Sequence, residues 1–233
     1  MESEESTAWS NLNSQITTCR LCPRLVAWRE SVAVAKKKAY AGLPYWGKPV
    51  TGFGDIKARL LVVGLAPGAH GSNRTGRMFT GDSSGDFLYG ALYRAGFASQ
   101  PVSRDRQDGL DLKDVFITAV GRCAPPANKP TPGELQNCSP WLEKEIDLLP
   151  TVEGVIALGR IAFERLLRLY LNPNESLANY PFSHGAFFSL GSTKPWLLAS
   201  YHPSRQNTQT GRLTALMFDS IWQKARAMLS GSE

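Results

Sequence analysis

Three settings in this 233-residue sequence put reactive side chains where they could do chemistry. The first is a glycine-rich stretch from Gly64 to Asp82, GLAPGAHGSNRTGRMFTGD. Its five glycines let the backbone come close to a ligand. It has neither the Gly-Lys-Ser/Thr of a phosphate loop nor a G-x-G-x-x-G fingerprint. Phe79 and Asp82 stand at its end, and an aromatic ring beside a carboxylate suits stacking on a planar ring next to a base or an electrostatic stabiliser. Core packing is the competing use of Phe79. Capping a helix is that of Asp82, and a cap can coexist with catalysis. The second setting is SYHPSRQNTQTGR, residues 200–212. His202 directly follows an apolar run, and Pro203 stiffens what comes next. Arg205, Gln206 and Asn207 are polar groups able to touch phosphates or bases. A histidine at a strand end is more often structural than catalytic, and His70 and His184 lack even that setting.

The third setting is the four cysteines, Cys19, Cys22, Cys123 and Cys138. Cys19-Arg-Leu-Cys22 has metal-ligand spacing, while the second pair follows a strand and enters a helix. Spacing alone leaves open a 4Fe–4S cluster, a zinc site and unrelated buried thiols. Zinc ribbons usually use two short knuckles, so the pattern suits a cluster held by distant parts of the chain better than zinc. A thioredoxin-like pair is disfavoured, because C-x-x-C does not lie at the exit of a βαβ strand. Either metal would staple the N-terminal helices to the rest.

The elements that must position these residues follow from hydrophobic pattern. Helices are predicted around 9–18 and 22–40, followed by a Gly-, Pro- and aromatic-rich loop over 41–54. RLLVVG (59–64), VFITAV (115–120), GVIALG (154–159) and KPWLLAS (194–200) read as buried parallel strands. Between them lie amphipathic helices: one over 85–95 capped by Ser83 or Ser84, one opened by Thr131-Pro132, one after residue 159, and one over 212–229. Alternation of this kind predicts an α/β fold, with a parallel sheet covered by helices on both faces. Ligands of such sheets bind beyond the carboxyl ends of the strands, which places loops 65–82, 121–132 and 201–212 together.

Charge points to the same loops. The net charge is +6 and the pI about 9.2. No acidic residue occurs between Asp55 and Asp82, between Asp114 and Glu134, or between Glu175 and Asp219. If these segments meet, one face is positive, as expected for a phosphate backbone. With 42% hydrophobic residues the chain can bury a core, which excludes wholesale disorder. No apolar run suits a membrane span, and the acidic start MESEESTAWS is no signal or transit peptide, so a cytoplasmic protein is expected. Residues 1–8 are expected as a flexible tail and 9–229 as one domain.

Taken together, the glycine-rich block, the CRLC pair, VGRCAPPANKPTPGEL with Cys138 downstream, and SYHPSRQNTQTGRLT resemble the uracil-DNA glycosylase superfamily, above all its family 5. The resemblance covers residues 15–225. It implies a three-layer αβα fold around a four-stranded parallel sheet, and a structural 4Fe–4S cluster on all four cysteines. It also implies monofunctional excision of flipped-out uracil from DNA, with hypoxanthine and some other damaged bases accepted. A monomer acting on double-stranded DNA is expected, with no membrane partner. Under this resemblance Phe79 stacks on the base, while the backbone around Gly64, Ala66 and Gly68 contacts its carbonyl. His202 donates to the pyrimidine O2, Asn128 contacts the base edge, and Asp82 positions water or stabilises the cationic sugar, with Asn73 a weaker candidate. Arg74, Arg77, Ser204, Arg205, Gln206 and Asn207 are the expected DNA contacts. Leu65 and Ala66 stand where many superfamily members carry a polar or acidic residue, and Ala119 where family 4 carries a uracil-reading Asn, which shifts attention to Asp82 and Asn128. The rival readings are a uracil-DNA binding module without turnover and an iron–sulfur redox protein.

Overall fold

Four short runs of almost wholly buried residues form the centre of the molecule, because strands covered on both faces must be apolar on both. The computed structural model describes residues 4–231. In chain order its elements begin with helices α1 (Glu4–Thr18) and α2 (Pro23–Ala35). Strands β1 (Phe53–Gly54) and β2 (Leu60–Gly64), the one-turn α3 (Ser72–Thr75) and helix α4 (Ser83–Arg94) follow. Then come β3 (Val115–Ala119), α5 (Pro132–Asp147), β4 (Gly154–Leu158) and α6 (Arg160–Tyr170). The chain closes through β5 (Phe187–Phe188), β6 (Trp196–Ser200), the short α7 (Arg205–Gln209) and α8 (Ala215–Leu229).

The sheet is mixed and six-stranded, ordered β1-β3-β2-β4-β6-β5. Its four central strands are parallel, with Leu60 beside Val115 and Gly154, and Gly154 beside Trp196. The four-stranded parallel sheet expected from sequence is therefore corrected at both margins, where β1 and β5 add antiparallel edges. Each is only two residues long, too short to leave a periodic signal. Alternate residues of one strand serve two cores. Leu60, Val62, Ile117 and Ile156 pack with α4 and α8. Leu61, Val63, Phe116 and Val155 pack with α1, α5 and α6.

Helix starts are fixed by local chemistry. The Thr131 hydroxyl accepts from the Glu134 amide and Glu134 accepts from the Thr131 amide, a reciprocal cap with Pro132 at the first position. Asp82, not Ser83 or Ser84, caps α4. α1 begins at Glu4, so residues 4–8, expected as a tail, are helical, and residues 1–3 lie outside the described residues. The helix expected over 22–40 stops at Ala35, where Lys36 turns left-handed at φ 52°. Among the described residues no helix is long and apolar enough to cross a membrane.

Candidate active site

The loops leaving β2, β3 and β6 meet at the carboxyl ends of the parallel strands and enclose a cleft of about 590 Å³. β2 sits where the strand order reverses, with β3 on one side and β4 on the other. This is the position where open α/β sheets bind ligands.

Asp82 forms one wall of the cleft. Its Oδ1 accepts from the amides of Ser84 and Gly85, each at 3.1 Å. Its Oδ2 lies against Gly68 and Gly71, so closely that a Cβ at Gly71 would stand 1.9 Å from it. Two glycines of the loop thus make room for the carboxylate. Burial raises its pKa above the usual carboxylate value, and the two amides oppose that shift.

His202 also lines the cleft, its ring stacked on Phe79 with centroids 5.8 Å apart and planes 29° apart. Burial pushes the imidazole down to about 4, so the ring is uncharged at neutral pH. The Asn207 side chain donates to the His202 carbonyl at 2.8 Å and holds the loop. Phe79 itself is left-handed at φ 51°. Two glycines make room for it there: a Cβ at Gly85 would strike the Phe79 carbonyl at 1.7 Å, and one at Gly64 would strike its ring at 2.6 Å.

Asn128 reaches the cleft from the β3 loop. It is the second of two consecutive left-handed residues, Ala127 at φ 52° and Asn128 at φ 57°. Strain of this kind persists only where the surroundings impose it. Here Arg24 does so, donating to the Lys129 carbonyl and pairing with Glu134 at 2.6 Å. Deeper still, Arg122 and Glu145 form a fully buried pair at 2.6 Å that also engages Thr118 and the Gly52 amide.

Most expected site residues converge. Ala66, Gly68, Phe79, Asp82, Asn128, His202, Ser204, Arg205 and Gln206 all line the cleft, and so do Leu65 and Ala119. Gly64 lies beneath Phe79, and Asn207 stands one step behind the cleft. Arg74 tethers the first loop by donating to the His70 and Gly81 carbonyls. Two residues turn away. Arg77 is buried and bound to Asp108 at 2.6 Å and to Ser103 at 2.7 Å. Asn73 is fully buried and donates to the Arg29 carbonyl. His70, dismissed on sequence, lines the cleft with its Nδ1 3.0 Å from the Tyr45 hydroxyl. That bond joins the segment between α2 and β1 to the first loop, and no local pattern in the sequence announces it.

The cysteines require a correction. All four line one narrow cavity of about 10 Å³ between α2 and α5. Arg29 donates to the Cys123 sulfur at 3.0 Å, and burial pushes the Cys123 thiol up to about 12. Yet among the described residues no group of three or more His, Cys, Asp or Glu side chains is placed to hold a metal ion. The donor set as folded fits neither the expected 4Fe–4S cluster nor the zinc alternative.

Fold and site define an α/β enzyme whose cleft presents a carboxylate, an uncharged imidazole and an aromatic ring to a single ligand. The sequence pattern of the Uracil DNA glycosylase superfamily matches residues 51–226. A type-5 uracil-DNA glycosylase of Thermus thermophilus is 56% identical over 213 residues, covering 91% of this chain and 94% of the relative. One from Mycobacterium leprae is 54% identical over 219 residues, covering 93% and 94%. A type-4 uracil-DNA glycosylase of Pyrobaculum aerophilum is more distant, 33% identical over 163 residues and covering 69% and 74%. The chain belongs to the uracil-DNA glycosylase superfamily and, within it, to the type-5 enzymes.

Proposed function

We propose that this protein flips uracil out of DNA and hydrolyses its N-glycosidic bond without cutting the backbone, leaving an abasic site for base excision repair. The observation that carries the mechanism is the meeting of Asp82, His202 and Phe79 in one cleft. Bond cleavage develops positive charge on the sugar and negative charge on the departing base. An uncharged His202 can donate a hydrogen bond to the pyrimidine O2 as that charge grows, without itself losing a charge. Asp82, fixed by two amides, faces the opposite need: it stabilises the cationic sugar or orients the attacking water.

Phe79 supplies the stacking face, backbone near Gly68 meets a base carbonyl, and Asn128 meets the base edge. Asn73, whose amide nitrogen donates to the Arg29 carbonyl outside the cleft, stays the weaker candidate for positioning water. Leu65, Ala66 and Ala119 give the cleft apolar walls where a polar side chain would demand one hydrogen-bonding pattern. Hypoxanthine and other deaminated or damaged bases therefore fit the same reading. Flipping costs a few kcal/mol and is cheapest at mismatches. Ser204, Arg205, Gln206 and Asn207 grip phosphate or fill the gap in a double-stranded substrate, and Arg74 supports them from the first loop. Arg77, committed to Asp108, acts only on the loop's shape. The protein works as a monomer in the cytoplasm, with residues 9–229 and the preceding first turns of α1 as its single domain.

The experiment is single-turnover reaction with a duplex holding one U·G pair, followed by alkaline cleavage. Free uracil and an alkali-labile site are expected from the wild type, and Asp82→Asn is expected to lose both. Tight binding with no base released would make the protein a uracil-DNA binding module instead.

A further inference from the structure

A second, larger groove of about 1050 Å³ joins the cleft at Asp82 and Ser83. Its floor combines flat rings and guanidinium groups. Arg74 lies 4.2 Å from the centre of the Tyr40 ring, and Arg106 lies 4.7 Å from that of Trp46. Among the described residues neither these two arginines nor the exposed Arg104 has a carboxylate partner, whereas neighbouring Arg77 is paired with Asp108. Leu43 and Val102, 44% and 40% exposed, add uncovered apolar surface to the rim. The groove's carboxylates are Asp82, which caps α4, Asp105, which accepts from the Gln107 amide, and the exposed Asp86.

Stacking plates, unpaired cations and apolar rim form the combination that single-stranded nucleic acid requires, because unpaired bases offer their faces and the backbone its charge. A duplex keeps its base faces hidden and would leave Tyr40, Trp46 and Leu43 unused. We propose that this groove carries unpaired nucleotides of the target strand next to the flipped base. The protein would then engage single-stranded DNA through a path continuous with its base cleft. This inference rests on the glycosylase reading for its substrate, but not for its test.

The test is binding of a short fluorescein-labelled oligothymidine by anisotropy, with an unmodified duplex of the same length beside it. It needs no turnover, so it stands apart from whether uracil is released. Replacing both Arg104 and Arg106 by Ala is expected to weaken oligothymidine binding at least about tenfold and flatten the log–log salt slope by about 1.4. Tyr40→Leu is expected to weaken binding comparably while leaving that slope in place. Both losses should be several times smaller on the duplex. Thermal melting of each variant must match the wild type, and Arg104 and Arg106, being exposed, are the substitutions least able to disturb folding. Unchanged oligothymidine binding, or equal losses on single strand and duplex, would overturn the proposal.

Discussion

Substituting Gly71 by alanine is expected to disable Asp82 without touching it. A Cβ at Gly71 would stand 1.9 Å from Oδ2 and 2.6 Å from the carboxyl carbon. Such contacts below 3.0 Å are essentially never realised, so the oxygen must retreat by at least 3.0 − 1.9 = 1.1 Å. It cannot do so freely, because Oδ1 of the same carboxylate holds the two amides that begin α4. Displacement of a catalytic group by about 1 Å costs on the order of 10²-fold in rate. If the cap is released as well, α4 loses about 0.5–2 kcal/mol. Gly68→Ala is the graded control, since its Cβ would need only 3.0 − 2.8 = 0.2 Å of movement. Single-turnover excision should therefore fall on the order of 100-fold for Gly71→Ala and by less than about tenfold for Gly68→Ala, with urea titration reporting the cap separately. A Gly71→Ala rate within about threefold of wild type, less than ~0.7 kcal/mol of barrier, would refute the argument. So would equal losses for the two variants.

Four other outcomes are expected. His202 titrates near 4 instead of at its ordinary 6.5, so its imidazole NMR resonances should hold their neutral positions from pH 8 to about 5.5, and a midpoint near 6.5 would contradict the buried neutral ring. The same lowered pKa means the unfolded chain takes up the His202 proton first. That contribution to stability is complete above about 6.5 and fades as pH falls towards 4, and His202→Asn should remove it from the pH dependence of urea midpoints. Glu145→Ala strands Arg122 in the interior and should cost about 3–5 kcal/mol by urea titration, while the double change Glu145→Leu with Arg122→Met should recover much of it. Asn128→Gly relieves a left-handed residue, so stability should hold or rise by up to about 1 kcal/mol while excision slows, and a parallel loss of both would assign Asn128 to structure alone.

What could be read from the sequence and what could not divide along physical lines. The central strands and their helices were legible because burial on both faces writes an uninterrupted apolar run, as in LLVVG and VFITA. The meeting of the three loops followed from that alternation alone. Asp82 and His202 were legible as candidates because each stands at or just beyond a helix or strand boundary, where direction is set by the element, and Phe79 by its residue type beside a carboxylate alone. Directions inside the long first loop were not. Arg77 and Asn73 turn inward to Asp108 and to the Arg29 carbonyl, while His70 turns to the cleft. Only tertiary partners decide those orientations. The two-residue edge strands and the five-residue α7 are likewise too short for periodicity to register. The cysteine expectation failed for a related reason: spacing brought four thiols to one cavity, but spacing does not set the distances among sulfur atoms.

The central claim is that Asp82 and His202 together break one bond and release one base. Its most direct measurement is free uracil released in a single turnover by wild type, Asp82→Asn, His202→Ala and the double variant. Stoichiometric uracil from the wild type is expected, with each single change costing at least about tenfold, or ~1.4 kcal/mol. The double loss should fall short of the product of the two, because residues acting on one transition state are not additive. Wild-type rates in either single variant, or base release unaffected by both changes, would contradict it.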